Sequence, residues 1–353
     1  MHSFFEKKSA NTASTQSTKK AAYLEAIPWV EKYRPKKVSE LVFQDEVVAV
    51  LNKCIQGADL PNLLFYGPPG TGKTSAAVAL CRQLFRNPDA YKDRVLELNA
   101  SDERGIEVVR TRIKNFARQT VNTHLSNVAI PGLRIIILDE ADAMTSSAQS
   151  ALRRTMERES ASTRFMLICN YVSRIIDPLT SRCAKFRFKP LPNQAQTERV
   201  KLIAERENVT IEDDAIDELV EMSNGDLRKS ITILQSISSS GKLITAQDVR
   251  ERAGFVPDEI IHELVRVCES PDFNALFKFI KKFRSEGYGV YQTLLQLSDV
   301  IMTKPELNST TKAKIFQKMG EVEKNLIDGA SEYLAILEMA TIIQQQMLES
   351  EAN

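Results

Sequence analysis

The sequence predicts an α/β domain with a parallel sheet, followed by a C-terminal part that consists only of helices. Residues 67–74 form a phosphate-binding loop motif between an apolar, strand-like run and a helix-prone segment. Residues 134–138 include a second apolar run, rich in isoleucine, which is typical of a strand buried on both faces of a parallel sheet. Beyond Pro190 and Pro192 the strand-like patterns stop, and apolar residues recur at helical spacing.

Composition limits the possible classes of protein. The chain has 353 residues, a length that a single hydrophobic core does not normally support, so two or three domains are expected. Its 47 basic and 46 acidic side chains nearly cancel, so any nucleic-acid site must be a local patch. No apolar run approaches the ~20 residues that a bilayer requires, which predicts a soluble protein with no membrane partner. Five cysteines without a Cys-x-x-Cys pair, and three scattered histidines, argue against a disulfide framework or a zinc site.

Two N-terminal segments precede the phosphate-binding loop. Residues 1–25 are rich in Ser, Thr, Lys, Ala and Gln and lack apolar periodicity. We interpret them as a disordered tail, with a targeting or DNA-contact role as the alternative. Residues 29–35 combine aromatic and basic side chains, and two interpretations remain open. The segment lines an adenine pocket, or it is an ordered strap that covers the core.

The phosphate-binding loop carries the most specific chemical prediction. Its glycines allow successive backbone N–H groups to point at phosphate oxygens, and the following helix N-terminus adds partial positive charge. Lys73 would reach the β and γ phosphates, and the Thr74 hydroxyl would ligate Mg²⁺. The predicted nucleotide contacts in this segment are Gly67, Pro68, Pro69, Gly70, Thr71, Gly72, Lys73, Thr74 and Ser75.

Two carboxylates and an amide complete the predicted site for nucleotide hydrolysis. Asp139 and Glu140 follow the isoleucine-rich strand. Asp139 would hold Mg²⁺ largely through water, and Glu140 would orient and polarise the attacking water. Asn170 follows the predicted strand 165–169. Because ligands bind beyond the carboxyl ends of parallel strands, its amide is predicted to contact the γ phosphate or the lytic water, unless it only forms a turn.

Helical periodicity accounts for most of the remaining chain. The α/β part is predicted to contain a first helix over 39–56, a helix from the loop to Leu84, a loop with Pro88, a strand over 95–98, helices over 103–120 and 145–159, and a short strand over 186–188. Further helices are predicted over 194–207, 213–223, 226–238, 245–252 and 332–348. The last of these is apolar on most of its circumference, so its own domain or a neighbouring chain must bury it.

Several polar side chains on these helices have two interpretations. Arg110, Lys114 and Arg118 repeat every four residues, so they form either a ridge that tracks phosphates or an ordinary solvated face. Gln149 is predicted to be available to a neighbour. Arg228 opens its helix, where it could swing onto a nucleotide or form a first-turn salt bridge.

These motifs together resemble the AAA+ ATPase family and, within it, the small subunits of replication factor C, the eukaryotic sliding-clamp loader. They occur in the family's order from about residue 26 to 255. The matching segments are 29–35, 67–74, Asn99-Ala100-Ser101-Asp102-Glu103-Arg104-Gly105, Asp139-Glu140-Ala141-Asp142, 167–170, Ser181-Arg182-Cys183 and Gly225-Asp226-Leu227-Arg228.

The resemblance implies a fold, cofactors and partners. It implies a five-stranded parallel AAA+ sheet over 26–190, a small helical lid over 191–255, and an all-α collar over 256–353 that joins five different subunits in a ring. The cofactors would be ATP and Mg²⁺. The partners would be one large and three other small subunits in a hetero-pentamer, the sliding clamp PCNA and primer-template DNA, in the nucleus.

The resemblance also implies residue roles that the chemistry alone only suggests. Asn170 would be the residue called sensor 1, Arg228 would be sensor 2, and Arg182 would be an arginine finger that acts in trans on the adjacent subunit's ATP. Val30, Tyr33 and Arg34 would lie at the adenine. Arg110, Lys114 and Arg174 match positions that face the template strand in similar subunits, and Arg118 continues that ridge.

The function implied by the resemblance is an ATP-driven switch that opens the clamp and loads it onto DNA. Two alternatives remain: a scaffold subunit that binds nucleotide with little hydrolysis, and a subunit shared with non-replicative checkpoint or cohesion clamp loaders. A different AAA+ machine, such as a branch-migration helicase motor, would typically append a winged-helix module. Residues 258–353 offer only apolar helices.

Overall fold

The computed structural model describes residues 27–57, 59–102, 107, 109–119, 132–239 and 241–351. The tail predicted over 1–25 lies outside the described residues, as do Glu103, Arg104, Gly105 and other parts of the helix predicted over 103–120.

A five-stranded parallel sheet is the centre of the N-terminal part and confirms the predicted fold class. The strands lie in the order β2-β3-β4-β1-β5, and every neighbouring pair is parallel. The strands are β1 (Leu63–Tyr66), β2 (Val95–Asn99), β3 (Arg134–Asp139), β4 (Thr163–Cys169) and β5 (Ala184–Arg187).

Both faces of the sheet are buried, because alternate strand residues enter two separate cores. Leu63 and Phe65 of β1 pack in one core with the helices next to the phosphate-binding loop. Leu64 between them packs in the other core. The run Ile135–Leu138 divides in the same way, which explains why it is continuously apolar rather than alternating.

Helices cover both faces of this sheet. The helices up to Arg206 are α1 (Trp29–Lys32), α2 (Asp45–Ile55), α3 (Lys73–Leu84), α4 (Pro88–Arg94), α5 (Lys114–Arg118), α6 (Ser146–Arg158), α7 (Asp177–Thr180) and, at the start of the predicted lid, α8 (Asn193–Arg206). The loop predicted around Pro88 is wrong, since α4 begins there. Proline suits the first helical position, and the Asn87 side chain accepts a hydrogen bond of 3.0 Å from Asp89 N.

The first predicted helix, 39–56, is divided in two. A short 3-10 helix over Val38–Glu40 precedes α2, and Phe43 between them has a left-handed φ of 57°. The buried Gln44 side chain donates a hydrogen bond of 2.9 Å to Lys189 O. That bond fixes the chain beside the sheet and interrupts the helix.

The helix predicted over 103–120 is not a regular α-helix in its described part. A π-helical turn over Val109–Ile113 precedes α5. In a π turn the hydrogen bonds run from residue i to i+5 rather than to i+4, so Val109–Ile113 departs from the uniform α-helix on which the predicted ridge depends. No local sequence signal predicts this turn.

The described chain forms two compact units. The first contains residues up to Val209 together with Leu219–Gln235, and the second contains Thr210–Glu218 and residues from Ser236 onward. The helices α9 (Asp213–Ser223) and α10 (Leu227–Ser238) contribute residues to both. The boundaries of the three domains predicted over 26–190, 191–255 and 256–353 therefore remain a prediction.

The second unit is a helical domain with its own core. Its helices are α11 (Ala246–Arg252), α12 (Asp258–Glu269), α13 (Phe273–Glu286), α14 (Val290–Thr303), α15 (Ser309–Ile327) and α16 (Glu332–Glu351). The last helix contributes the buried residues Ile336, Met339, Ala340, Ile343 and Met347 to this core, so its apolar circumference is covered largely within its own unit. Across the described residues, no helix is long and apolar enough to span a membrane.

Arg134 is a fully buried cation at the start of β3, with 1% of its surface exposed. Its Nε donates to Gln119 O at 3.1 Å, and its Nη1 donates to Asp93 O at 3.1 Å. The guanidinium also lies 4.8 Å from the centre of the Phe116 ring. These contacts tie the ends of α4 and α5 to the central sheet, and they compensate for the loss of water around the charge.

Arg134→Met should destabilise the protein although it keeps the apolar stem. The change removes the hydrogen bonds from the buried guanidinium to Gln119 O and Asp93 O and its contact with the Phe116 ring, so we expect the free energy of unfolding to fall by about 2–4 kcal/mol in urea denaturation. Arg158→Met is the matched control, because Arg158 is exposed, and it should change stability by less than about 0.5 kcal/mol. Equal losses in the two variants would contradict the structural role of Arg134.

Candidate nucleotide-binding site

Three adjacent strands bring the predicted catalytic groups to one edge of the sheet. Strand β4 pairs with β3 on one side and with β1 on the other. Tyr66 of β1 is in register with Cys169 of β4, so the phosphate-binding loop and Asn170 leave the sheet at the same level. Asp139 ends β3 beside them. Parallel strands therefore place an anion-binding loop, a carboxylate and an amide side by side.

The phosphate-binding loop lies tightly against the segment that follows β5. Gly67 has a φ of 143°, and a Cβ atom at this position would lie 2.3 Å from the carbonyl oxygen of Phe188. Phe188 N in turn donates to Tyr66 O at 2.8 Å. The first glycine of the motif is thus required by close backbone approach as well as by its conformation.

Lys73 begins α3 and is buried, with 7% of its surface exposed. Its Nζ donates to Gly67 O at 2.8 Å, to Pro68 O at 2.7 Å and to Asn170 Oδ1 at 2.9 Å. These three acceptors match the three N–H bonds of an ammonium group. Burial lowers the pKa of Lys73, and the nearby Asp139 carboxylate opposes that shift.

The two predicted metal ligands are in direct contact. Thr74 Oγ1 donates a hydrogen bond of 2.7 Å to Asp139 Oδ2. The other oxygen, Asp139 Oδ1, accepts from Glu140 N at 2.9 Å. Glu140 itself is exposed and has a left-handed φ of 52°, which is rare for a residue with a side chain. A hydroxyl and carboxylates of this kind are the hard oxygen donors that suit Mg²⁺.

Asp142 fixes the turn that follows β4. Its Oδ2 accepts hydrogen bonds from Asn170 N at 3.3 Å and from Tyr171 N at 3.2 Å. The Asn170 side chain is then free to accept from Lys73 rather than to close the turn itself. The alternative that Asn170 merely forms a turn is not what the structure shows.

A single cleft gathers the predicted nucleotide contacts. It is lined by Val30, Tyr33, Arg34, Pro35, Leu41, Val42, Pro69, Gly70, Thr71, Gly72, Lys73, Thr74, Ser75, Asp139, Glu140, Ile168, Cys169, Asn170, Leu191, Arg199, Leu227, Arg228 and Ile231. Gly67 and Pro68 are not among the lining residues, but their carbonyl groups accept hydrogen bonds from Lys73. Within the described residues Arg228 forms no ion pair, so the first-turn salt bridge is not observed.

The N-terminal segment 29–35 is both a strap and a wall of this cleft. Tyr33 OH donates a hydrogen bond of 2.5 Å to Glu207 Oε1, and Lys32 Nζ lies 2.6 Å from the same oxygen. Arg199 Nη2 donates to Tyr33 O at 2.9 Å. Burial, then the bond to Glu207, raises the pKa of Tyr33 to about 12. Burial alone would raise the pKa of Glu207, but the hydrogen bonds from Lys32 and Tyr33 hold it below its ordinary value.

Of the residues predicted to contact DNA, the three whose side chains the structure describes do not line this cleft. The side chain of Arg110 is outside the described residues. Lys114 and Arg118 lie on α5, where Arg118 Nε is 3.4 Å from Glu159 Oε1. The Arg174 guanidinium lies 5.1 Å from the centre of the Tyr171 ring, and that ring is 61% exposed.

The prediction that Gln149 is available to a neighbour is wrong. The side chain is 2% exposed. Its Nε2 donates to Arg174 O at 3.0 Å, and its Oε1 accepts from Ile176 N at 2.9 Å. Because α6 presents this amide to irregular backbone after β4, Gln149 supplies the partners that a sheet or helix would otherwise provide. It thereby fixes the loop that carries Arg174.

Arg182 does not line the cleft of its own chain. Its Nη2 lies 2.5 Å from Glu157 Oε1 on α6, and its Nη1 donates to Pro178 O at 2.6 Å. The guanidinium is therefore held at the surface of the described first unit, apart from the phosphate-binding loop.

The sequence did not predict the observed contacts of four polar residues in and around the site. These are Asp142, Gln149, Arg199 and Glu207. Asp142 stands within a motif that carries the family resemblance, and this position was a usable signal. The other three lie on or beside helices with ordinary amphipathic patterns, and their partners are distant in the sequence.

Family comparisons agree with this geometry. The model of the ATPase family associated with various cellular activities (AAA) matches residues 63–191. An RFC1-like AAA+ ATPase lid domain matches residues 194–251, and the replication factor C C-terminal domain matches residues 256–341. The chain is 52% identical to replication factor C subunit 4 of Homo sapiens over 344 residues, which are 97% of this chain and 93% of that protein.

The chain belongs to the replication factor C family of AAA ATPases. It is also 50% identical to replication factor C subunit 4 of Arabidopsis thaliana over 318 residues, which are 89% of this chain and 94% of that protein. The segment Gly57-Ala58-Asp59-Leu60-Pro61-Asn62 predicts a likeness to subunit 4, and both of these relatives bear that name. As a replication factor C family member, the chain is a nucleotide-binding ATPase that assembles with other subunits of its family.

A solved structure supports the fold independently. The structure of a RuvB variant from Thermotoga maritima superposes with a TM-score of 0.50 and 18% sequence identity, over 75% of this chain and 91% of that one. At this identity the likeness concerns the fold alone.

Relief of the backbone strain at Glu140 should stabilise the protein. Asn tolerates left-handed φ better than Glu, so Glu140→Asn should raise the free energy of unfolding by up to about 1 kcal/mol. Glu140→Gln keeps an equally long side chain and should leave stability unchanged within about 0.5 kcal/mol. Thermal denaturation of the two variants makes the comparison. An Asn variant no more stable than the Gln variant would show that no strain is stored at Glu140.

Proposed function

We propose that this chain is a small subunit of the replication factor C clamp loader. It would bind and hydrolyse ATP with Mg²⁺ at a subunit interface, so that the complex opens the ring-shaped clamp PCNA and loads it onto primer-template DNA for replication and repair synthesis. The family membership supports the assembly and the ATPase chemistry. The observation that carries the proposal is the contact of Lys73 with Asn170 beside that of Thr74 with Asp139, all within one cleft.

Lys73 would exchange backbone acceptors for phosphate oxygens when ATP binds. Its ammonium group already uses three acceptors, so a phosphate must replace at least one of the two loop carbonyls. The exchange is favourable because a phosphate carries full negative charge, whereas a carbonyl is only a dipole. Neighbouring negative charge would also shift the pKa of Lys73 back toward its ordinary value.

The oxygen donors around Thr74 fit Mg²⁺. Mg²⁺ prefers carboxylate, hydroxyl and water ligands together with substrate phosphates, and when bound it neutralises charge on the β and γ oxygens. Thr74 would turn its hydroxyl oxygen from Asp139 to the cation. Asp139 keeps its position through Glu140 N and would act largely through water.

Glu140, Asn170 and Arg228 would surround the terminal phosphate. Glu140 lies one residue beyond the metal-binding carboxylate, where its side chain can polarise the attacking water. Asn170 already bonds Lys73 and would contact the γ phosphate or the water as sensor 1. Arg228, at the start of α10, would contribute a second cation as sensor 2. Val30, Tyr33 and Arg34 would hold the adenine at the far end of the cleft.

Arg182 would complete the ATP site of the adjacent subunit. The guanidinium is at the surface of its own chain and paired with Glu157, so it can be presented to a neighbour. Hydrolysis then requires the assembly. DNA bound through Lys114, Arg118 and Arg174, together with Arg110, would align Glu140 and the neighbour's arginine, and hydrolysis would release the closed clamp.

The remaining parts of the proposal concern partners and location. The partners would be one large and three other small subunits in a hetero-pentamer in the nucleus, and the same chain could also serve checkpoint or cohesion clamp loaders. A scaffold subunit with little hydrolysis is disfavoured, because Lys73, Asp139, Glu140 and Asn170 are all present, with Lys73 bonded to Asn170 and Asp139 bonded to Thr74.

ATPase activity of the full chain, alone and assembled with its partner subunits, tests the proposal. Low activity alone that rises in the assembly when clamp and primer-template DNA are added supports a clamp-loader subunit. High activity alone that ignores clamp and DNA would refute it.

Arg182→Ala should silence one neighbouring site in the assembled complex. An arginine finger contributes a factor of about 10³ to 10⁵ to such reactions, so hydrolysis at the adjacent site should fall by that order. ATP binding by the variant chain should be unchanged, because Arg182 lies outside its own cleft. Arg158→Ala removes an exposed arginine from the adjacent helix α6 and serves as the control. Normal hydrolysis in the Arg182 variant complex would contradict the in-trans role.

Arg174→Ala should weaken DNA binding by the complex without regard to sequence. Loss of one phosphate contact reduces the slope of log affinity against log salt by about 1. Binding of primer-template DNA measured at several salt concentrations gives this slope. Lys185→Ala removes an exposed cation from β5 at the edge of the sheet, and its slope should match that of the unaltered complex. A slope unchanged by Arg174→Ala would argue for an ordinary solvated residue.

A further inference from the structure

Asp226 lies directly against the phosphate-binding loop. Gly70 has a left-handed φ of 69°, and a Cβ atom on it would lie 1.7 Å from Asp226 Oδ1 and 2.3 Å from Asp226 Cγ. No methyl group fits at that distance. The second glycine of the loop motif is therefore constrained by the Asp226 side chain as well as by its own backbone conformation.

The same carboxylate oxygen begins helix α10. Asp226 Oδ1 accepts hydrogen bonds from Arg228 N at 2.9 Å and from Lys229 N at 3.2 Å, which are the second and third residues of the helix. This is the N-cap arrangement that aspartate favours. One oxygen atom thus contacts the loop and fixes the backbone of the residue that carries the Arg228 guanidinium.

The opposite side of Asp226 is anchored, so the contact cannot relax easily. Asp226 N donates to Ser223 O at 2.9 Å. The preceding Gly225 has a φ of 84°, and a Cβ atom there would lie 2.8 Å from the Cβ atom of Pro190. Displacement of the loop at Gly70 would therefore move the start of α10 rather than only rotate one side chain.

We propose that Asp226 is a positioning residue that couples the conformation of the phosphate-binding loop at Gly70 to the placement of Arg228. The inference rests on the proposed contact of Arg228 with the terminal phosphate. A loop that adjusts around the β and γ phosphates presses on Asp226, and α10 follows because its first N–H groups are bonded to the same carboxylate. Occupancy of the loop is thereby communicated to the sensor residue through one side chain.

The first test compares affinities for ATP and ADP, measured with fluorescent analogues on the full chain. Asp226→Asn keeps both the shape and the acceptor oxygen and should keep the ratio of the two affinities. Asp226→Gly removes the contact, although glycine is a tolerated N-cap. In the Asp226→Gly variant the ratio of ATP affinity to ADP affinity should fall at least about threefold, toward the ratio of the Arg228→Ala variant, while ADP affinity stays nearly unchanged. An Asp226→Gly variant with the unaltered ratio would overturn the proposal.

A double-mutant cycle tests the contact itself and uses ADP affinity. Gly70→Ala should weaken ADP binding, and the loss should be at least about threefold smaller in the Asp226→Gly background, where the methyl group has more room. Gly72→Ala is the matched control. Gly72 also has a positive φ, of 91°, but its Cβ atom would meet only Leu41 Cδ2 at 3.7 Å, so its loss should be equal in both backgrounds. No difference between the two glycines would overturn the coupling.

The two tests separate this inference from the proposed function. If Arg228→Ala leaves the ratio of ATP to ADP affinity unchanged, the proposed role of Arg228 fails, and the link from Asp226 to that role fails with it. The cycle on ADP does not depend on the terminal phosphate, so it still decides whether Gly70 and Asp226 are coupled.

Discussion

The buried ammonium group of Lys73 is the constraint on which the rest of the site depends. An ammonium that is 7% exposed is tolerated only when each of its N–H bonds has an acceptor. Two acceptors are loop carbonyls, which require the loop to curl back over α3, and the third is Asn170 at the end of β4. The parallel pairing of β4 with β1 supplies that third acceptor at the right level. The strand order and the loop conformation are thus both tied to one charge.

The segment from Phe188 to Leu191 carries this constraint from the loop to the helices beyond it. Its first carbonyl lies against Gly67, and the next, Lys189 O, accepts from the Gln44 side chain at 2.9 Å. Pro190 lies against Gly225, and Leu191 N donates to Gly225 O at 3.4 Å. Four consecutive residues therefore touch the phosphate-binding loop, the N-terminal helices and the turn before α10. This short stretch of irregular backbone joins the segments that line the cleft, because each of those segments supplies hydrogen-bond partners to some of its polar groups.

Much of this arrangement could be predicted from the sequence, because it depends on local patterns. The loop motif and the isoleucine-rich strand predict the parallel sheet, and helical periodicity predicts the helices, of which α9 has the predicted bounds of 213–223. The loop predicted at Pro88 shows that capping signals are easily overlooked when apolar periodicity is weak. Arg134 and Gln149 could not be placed, since a polar residue on a strand or helix normally faces water. Both are buried here because distant backbone groups needed partners, and such demands become visible only in three dimensions.

Under the proposed function, the chain would bind nucleotide by itself but hydrolyse it only when assembled with other subunits. The geometry of Arg182 gives a physical reason for this difference. The chain's own cleft contains Lys73 and Arg228 but lacks the finger, and catalysis of phosphoryl transfer depends on cations already placed where charge develops. The pair of Arg182 with Glu157 has side chains that are 38% and 42% exposed. A pair so accessible to water contributes less than about 1 kcal/mol, so little opposes its exchange for a neighbour's phosphate. The ion pair would therefore hold the guanidinium at the surface only weakly. When ATP binds at the adjacent subunit, Arg182 would exchange Glu157 for a phosphate of that ATP.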